Sequence, residues 1–477
     1  MKRIVAIFLS FFALQIIAAQ PLTHRLDTLT KSFIADTAVT KTYTIGKVVV
    51  TGNKRTRPHI ILRELTFKTG DTVTASVLAE KIHRSKELVY NTGLFVEDSI
   101  KIISKEGNVL NFEVVVKERW YVFPLPYVRP VDRNLNQWLI QEGASLDRVN
   151  YGVKLTHNNL TGQNDKLNIW LISGYNQQLS VRYNLPFIDK SLTKGFEVGY
   201  TTSRQHELNY MTSDSNKQLF LKLPNDYARS FTRFDFTYSY RPDQKKRHLL
   251  RIAYTNEMIA DSVFVSNPNY YPDNRTEMKY VDFLYAFRYL NTDYFVYPTK
   301  GFMGEVSVYK RGLESISNLW QVALHGVWAK HLNEKTFGTI EAATTVKFPF
   351  NDDYYTQPLF GYGYFQLRGQ EYYVVDGMFG ALGKFTLTHS LFNYTYHNPI
   401  KSKTHDLIPF RFYVKAFFDM GYAYNPNVTS NLLNNKFMYT YGVGMDILSI
   451  YDLTLKITFA INQLGNKGLY LHARNDF

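Results

Sequence analysis

Cysteine is absent from all 477 residues. That excludes a disulfide framework, a thiol nucleophile, an iron–sulfur cluster and any cysteine-based zinc site. Catalytic signatures are missing as well. There is no G-x-S-x-G, no P-loop and no H-E-x-x-H; His206-Glu207 lacks the second histidine, and Gly361-Tyr362-Gly363 is followed by Gln366 where a third glycine belongs. The 12 histidines are scattered without ligand spacing, so no metal, no cofactor and no enzyme activity are expected. Beyond the N-terminus no run approaches the ~18 consecutive apolar residues of a membrane-spanning helix. Charged residues make up 20% of the chain and apolar ones 45%, a balance that argues against wholesale disorder. The excess of 55 Lys and Arg over 41 Asp and Glu is interleaved with acids, which argues against nucleic-acid binding and is accounted for by a positive lumen or by lipid head groups. What the sequence holds in quantity is aromatic: 36 Tyr, 34 Phe and 5 Trp.

Lys2 and Arg3 precede a stretch from Ile4 to Ile17 that is apolar except for Ser10 and Gln15, and Ala18-Ala19 follows. This is the pattern of a secretory leader over residues 1–19. Without cysteine there is no lipid-attachment residue, so a lipoprotein is not expected. Residues 20–42 show no firm period and read as a linker or a marginal helix.

Residues 43–118 read as a small α/β unit. Tyr43 to Thr51 is extended, with Val48, Val49 and Val50 at its centre and Gly52-Asn53 as a turn. Pro58 opens a helical stretch over His59 to Leu65. Ser76 to Tyr90 carries a helical stripe of Val77, Leu78, Ile82, Leu88 and Val89, stopped at Gly93. Val96 to Ser104 and Val109 to Lys117 alternate as two strands about Glu106-Gly107-Asn108. The expected order is strand, helix, helix, strand, strand.

Residues 119–477 alternate at period two between turns. From Tyr280, one face carries Val281, Phe283, Tyr285, Phe287 and Tyr289, and the other Asp282, Leu284, Ala286 and Arg288. Leu453, Leu455, Ile457, Phe459 and Ile461 alternate with Thr454, Lys456, Thr458, Ala460 and Asn462, and Tyr439 to Asp446 repeats the pattern. Alternation with aromatic residues toward the strand ends is the mark of strands that cross a bilayer in ~9–11 residues. Only a closed barrel leaves no unpaired backbone in lipid. Candidate strands begin near Trp120, Tyr151, Lys166, Gln178, Gly195, Thr232, Arg247, Met278, Gly301, Asn318, Thr336, Gly377, Phe410, Phe437, Tyr451 and Gly468. The fold expected is mainly β: a 16-stranded antiparallel transmembrane barrel preceded by the α/β unit. The last strand ends on Phe477, a terminal aromatic that resembles the tag by which barrel proteins are recognised for assembly.

The phrases Val48-Val49-Val50-Thr51-Gly52-Asn53, Ile61-Leu62-Arg63-Glu64-Leu65, Gly70-Asp71, Thr92-Gly93-Leu94-Phe95 and Val114-Val115-Val116-Lys117-Glu118 resemble a POTRA domain, the periplasmic module of the BamA/TamA outer-membrane assembly family. Asn159-Leu160-Thr161-Gly162, Asn291-Thr292-Asp293 with Tyr297-Pro298-Thr299-Lys300-Gly301, and Phe417-Phe418-Asp419-Met420-Gly421 resemble that family's barrel phrases. Only one such module is present, fewer than in BamA or TamA.

The resemblance implies a Gram-negative outer-membrane barrel that inserts polypeptide without a cofactor. Its partners would be outer-membrane lipid, unfolded client polypeptides, and periplasmic chaperones or accessory lipoproteins. The module would recruit clients by strand addition at the edge carrying Val96, Ser99, Ile100, Ile102 and Ser104. Arg368-Gly369, on the long loop between Pro349 and Gly377, would fold into the lumen with its arginine on Asp419, although Gln370 stands where the family has an aromatic. A seam between the first strand, with Trp120, Pro124 and Pro126, and the last, Gly468 to Phe477, would open sideways to template a client strand. The alternatives are a POTRA-gated polypeptide secretion pore and a passive outer-membrane channel.

Overall fold

The computed structural model describes residues 41–131, 138, 143–313, 317–399, 407–428 and 431–473. The expected leader, nearly all of the linker and Phe477 lie outside the described residues.

The N-terminal unit is built on four strands. β1 (Thr42–Thr51), β2 (Thr72–Thr74), β3 (Phe95–Glu106) and β4 (Val109–Glu118) form a sheet in the order β2-β1-β4-β3. β1 and β4 run parallel; the other pairs are antiparallel. Two helices cover one face, α1 (Pro58–Leu62) and α2 (Ala75–Tyr90). α2 turns Leu78, Ile82 and Val89 onto the sheet, where they join Tyr43, Ile45, Leu110, Phe112 and Val114 in one core. Gly52 closes the turn after β1 at φ +83°; a Cβ there would sit 2.0 Å from the carbonyl oxygen of Val116. Two expectations change. α1 ends at Leu62 rather than Leu65, and β2 is an additional strand, too short at three residues to display a period.

The remainder is one 16-stranded sheet in which each strand pairs antiparallel with its sequence neighbour in the wall. Its first members are β5 (Val122–Pro130), β6 (Val149–Asn158), β7 (Lys166–Gly174), β8 (Asn176–Leu185) and β9 (Lys194–Gln205). A hairpin outside the wall follows, β10 (Glu207–Thr212) with β11 (Gln218–Lys222). The wall resumes with β12 (Arg229–Tyr240) and β13 (Lys246–Ile259), then, after the short helix α3 (Asp261–Ser266), β14 (Glu277–Thr292), β15 (Gly301–Arg311), β16 (Leu319–His331) and β17 (Thr336–Phe348). β18 (Pro358–Phe360) and β19 (Val375–Asp376) pair within the next loop. β20 (Phe379–His397), β21 (Leu407–Tyr424), β22 (Phe437–Leu448), β23 (Thr454–Asn462) and β24 (Lys467–Ala473) complete the wall. All sixteen wall strands begin within three residues of the positions expected from periodicity. One detail is corrected: Trp120 precedes β5 and is not part of it, because the wall begins only at Val122.

The alternation sorts side chains between lipid and lumen. On β13, Leu250, Ile252 and Tyr254 face outward, while Arg251, Ala253 and Thr255 face the interior. On β16, Trp320 and Trp328 both point to lipid eight residues apart, about 26 Å along the strand. They mark the aromatic edges of an apolar band. Among the described residues no helix is long and apolar enough to cross a membrane; the chain crosses with strands. The connections at the module end are short, whereas the far end carries the long loops 206–228, 260–276 and 349–378.

A lipid-facing position tolerates no uncompensated cation, whereas one residue away Arg251 is accommodated inward on Asp282 at 3.4 Å. Ile252→Arg is expected to lower barrel stability in lipid vesicles by ~2–4 kcal/mol, read as a shifted denaturant midpoint; an unshifted midpoint would place this face in water.

Candidate functional site

The loop 349–378 folds inward because it is apolar where it meets the wall. Leu359, Phe360, Phe365, Leu367 and Val375 pack on Ala343 of β17, Leu382 of β20, Ala423 of β21 and Met438 of β22. This burial delivers Arg368 to Asp419, whose side chain is fully buried in β21. The Arg368 backbone N–H donates to Asp419 Oδ2 at 3.0 Å and Nε donates to the same oxygen at 2.9 Å, while Nη2 donates to Oδ1. The guanidinium also lies 4.0 Å from the centre of the Phe417 ring. A planar fork gripping both carboxylate oxygens, stacked on an aromatic face, is chemistry that Arg performs and Lys does not. Gly369 adopts φ +89°, and a Cβ there would press to 2.8 Å from Ala460 Cβ, so the loop touches the wall directly.

The following residues attach the loop to the last hairpin of the barrel. Asn462 donates to the Gly369 carbonyl at 3.1 Å. Gln370, where an aromatic was expected, donates to Gln463 Oε1 at 2.8 Å. Glu371 lies 3.3 Å from His472 Nε2, Tyr372 meets the ring of Tyr470, and Asn466 donates to the Tyr373 hydroxyl at 2.7 Å. Nothing in the spacing of Glu371 and His472 foretells this contact; they stand 101 residues apart.

The module docks on the turns at its end of the barrel. Arg241 grips Glu64 through both oxygens, at 2.8 and 2.6 Å. Arg63 donates to the carbonyls of Leu192 and Arg241 and stacks on Phe187; burial, reinforced by the Arg241 charge, lowers its pKa to about 10. Arg119 donates to Asp452 at 2.9 Å. Arg84 and Asn91 cap the carbonyls of Thr292 and Asp293 at 2.8 and 3.0 Å. The turn they hold reaches into the lumen: Tyr294 donates to Asp452, and Tyr297 donates to Asp446 at 2.9 Å, where Lys415 of β21 also binds at 2.6 Å. None of these contacts was anticipated from the sequence.

The seam strands are the two ends of the sheet order. β5 pairs with β6 over its whole length. Because proline has no N–H, the ladder donors toward β6 must come from Phe123, Leu125, Tyr127 and Arg129. The even positions therefore aim their backbone away from β6, toward the seam, and three of them are Pro124, Pro126 and Pro130. Gly468 lies in β24, which spans only Lys467–Ala473. Trp120 is exposed beside this junction, its N–H 3.3 Å from the Tyr451 hydroxyl.

Among the described residues the proposed receptive edge, β3, pairs with β4 alone. Val96, Ser99, Ile100, Ile102 and Ser104 all lie on it; Ile100 is buried in the core and Ser104 accepts from Asn111 at 2.8 Å. On the same strand one oxygen of Asp98 is buried without a hydrogen-bond partner. Burial raises this carboxyl from 3.8 to about 7, with Lys86 opposing.

Comparison with known proteins gives two family matches. The model "POTRA: Surface antigen variable number repeat" covers residues 43–119, and "Omp85 superfamily domain" covers residues 159–467. Among solved structures, BamA from Haemophilus ducreyi lacking POTRA domains 1–3 is similar at 14% identity, over 90% of this chain and 83% of that one, with a TM-score of 0.49. CdiB from Acinetobacter baumannii is similar at 12% identity, over 90% and 73%, with a TM-score of 0.47. CdiB from Escherichia coli is similar at 10% identity, over 96% and 92%, with a TM-score of 0.46. No curated protein matches the chain.

Two outcomes test this geometry. Arg368→Ala and Asp419→Ala each remove half of a buried pair and are expected to cost ~3–5 kcal/mol of barrel stability. The double variant should cost less than the sum, and Arg368→Lys should rescue only in part; additive losses would mean the two do not act as a pair. For Asp98, the folded carboxyl holds its proton more tightly than the unfolded one. Module stability is then fullest below about pH 4 and falls as pH rises toward 7. Asp98→Asn should flatten that slope in urea-unfolding midpoints.

Proposed function

The chain belongs to the Omp85 superfamily, and on that premise we propose that it inserts client polypeptides into the outer membrane, recruiting them by strand addition on β3 and templating them at the seam between β5 and β24. Members of the superfamily are assembly and transport factors that handle client polypeptides. The chain is an outer-membrane barrel with its POTRA domain in the periplasm.

The observation that carries the mechanism is the row of prolines in β5. Pro124, Pro126 and Pro130 withdraw three ladder donors from the side of the strand turned away from β6, the free end of the sheet order. A wall strand in lipid ordinarily loses several kcal/mol for each unsatisfied backbone group, so a donor-poor edge is the place where closure is cheapest to undo. An incoming strand can then satisfy the acceptors that β24 leaves weakly held. On the module, β3 offers a second open edge, which takes an extended chain without regard to its sequence. The Arg368–Asp419 pair serves to keep the loop 349–378 in the lumen, and through residues 369–373 it supports the final hairpin while the other side of the seam yields. The energy for insertion comes from the client's own burial in lipid.

A passive channel would conduct through the lumen, into which the inward loop packs against β17, β20, β21 and β22.

Pro124→Thr with Pro126→Thr restores two donors, each worth about 1 kcal/mol. The double variant should be more heat-stable than the parent and should slow barrel-client folding in liposomes by about an order of magnitude. Unchanged folding rates alongside large steady conductance in planar bilayers would replace insertion with the channel reading. Ile102→Pro should separately abolish client crosslinking to β3.

A further inference from the structure

β20 and β21 are longer than a crossing requires, at 19 and 18 residues against the ~9–11 that span the hydrocarbon. The surplus lies at the periplasmic end. β17 accompanies β20 only as far as the pair Thr336 with His389, and β22 accompanies β21 only as far as Leu448 with Arg411. From Leu391 to His397, and back from Leu407 to Phe410, the two strands pair with each other alone among the described residues. This hairpin overhangs β17 by about 23 Å of strand and β22 by about 13 Å.

A bulge decides which way the overhang faces. Above it, the odd positions of β20 point to lipid, as Phe385 and Leu387 do. The register then shifts between Ser390 and Phe392, with Leu391 as the inserted residue. One extra residue reverses every side chain beyond it. Phe392, Tyr394 and Tyr396 therefore stand opposite Phe412, Phe410 and Ile408 on the outer face. Without the bulge these three rings would point under the lumen. The Phe392 and Phe412 rings stack at 4.6 Å, and Phe392, Tyr394 and Tyr396 remain 41–51% exposed. Asn393, Thr395 and His397 take the inner face.

We propose that this overhanging hairpin is a lipid-binding paddle, whose aromatic face lies on the phospholipid of the periplasmic leaflet. The occupant follows from continuity. The outer face of the overhang extends the lipid-facing column of Phe385, Leu387, Val414 and Phe418 without a break in side. Rings with one polar tip, such as Tyr394 and Tyr396, suit the head-group region. The hydrophobic boundary is thereby carried lower on this flank than at Lys330 and Lys335, where the neighbouring strands turn, so the leaflet is thicker there.

Because the chain has no cysteine, one introduced thiol is a unique label. Tyr394→Cys and, as a second site, Tyr396→Cys would each carry a nitroxide in the full-length protein. The protein is reconstituted in phosphatidylethanolamine–phosphatidylglycerol vesicles. The expected result is a shift toward oxygen and away from a water-soluble nickel complex in collisional accessibility, with the reverse for Asn393→Cys on the inner face. Equal nickel accessibility at 393, 394 and 396 would overturn the proposal. So would protection of 394 and 396 in native outer membrane but not in vesicles, since that identifies a protein as the occupant.

Discussion

A backbone N–H or C=O in hydrocarbon must be bonded within the protein, and the architecture is largely the set of consequences of that requirement. Fourteen of the sixteen wall strands pair with a neighbour on each side, and β5 and β24 stand at the two ends of the order. The same requirement makes β5 conspicuous, because three prolines concentrate missing donors on one of its sides. It also bears on the irregular backbone of the loop 349–378, whose Arg368 N–H and Gly369 carbonyl are met by Asp419 and Asn462 of the wall.

Once the wall is closed to lipid, the lumen becomes the place for charge. Arg182 joins Asp235 and Glu197, Arg233 and Arg251 share Asp282, Lys384 meets Glu341, and Lys415 meets Asp446. Pairs of this kind contribute little net stability compared with apolar packing of the same volume, but they fix orientation, because breaking one strands a charge. The contacts of Arg119 with Asp452, of Tyr294 with Asp452, and of Tyr297 and Lys415 with Asp446 form a nearly continuous series from the module into the lumen, two positions along β21 from Phe417, on which Arg368 rests.

The wall was legible in the sequence because a strand facing oil on one side and water on the other must alternate, and the register of β14 follows the alternation from Tyr280 without exception. The errors fell where alternation has no purchase. β2 is too short to show a period, and the start of β5 is obscured by prolines and by Trp120, which stands outside the wall. Arg368 and Asp419 could be named only through resemblance to a family; their chemistry alone describes a loop cation and a strand carboxylate. The contacts of Gln370, Glu371 and Tyr372 with the last hairpin, and of Glu64 with Arg241, join residues roughly one hundred or more positions apart. A single sequence carries no signal for such pairs, because each is an ordinary polar residue until the wall brings it to its partner.

The order of strands in the wall has a kinetic corollary. Every neighbouring pair in the order is joined by a connection of tens of residues at most, so those ladders can zip locally and early. The two end strands, β5 and β24, come from opposite ends of the barrel sequence, so joining them carries the largest loop-closure entropy in the wall. By that measure their junction is the last one expected to form as the barrel folds. An assembly step that catalysed its closure would therefore act on the same edge that is proposed to template clients.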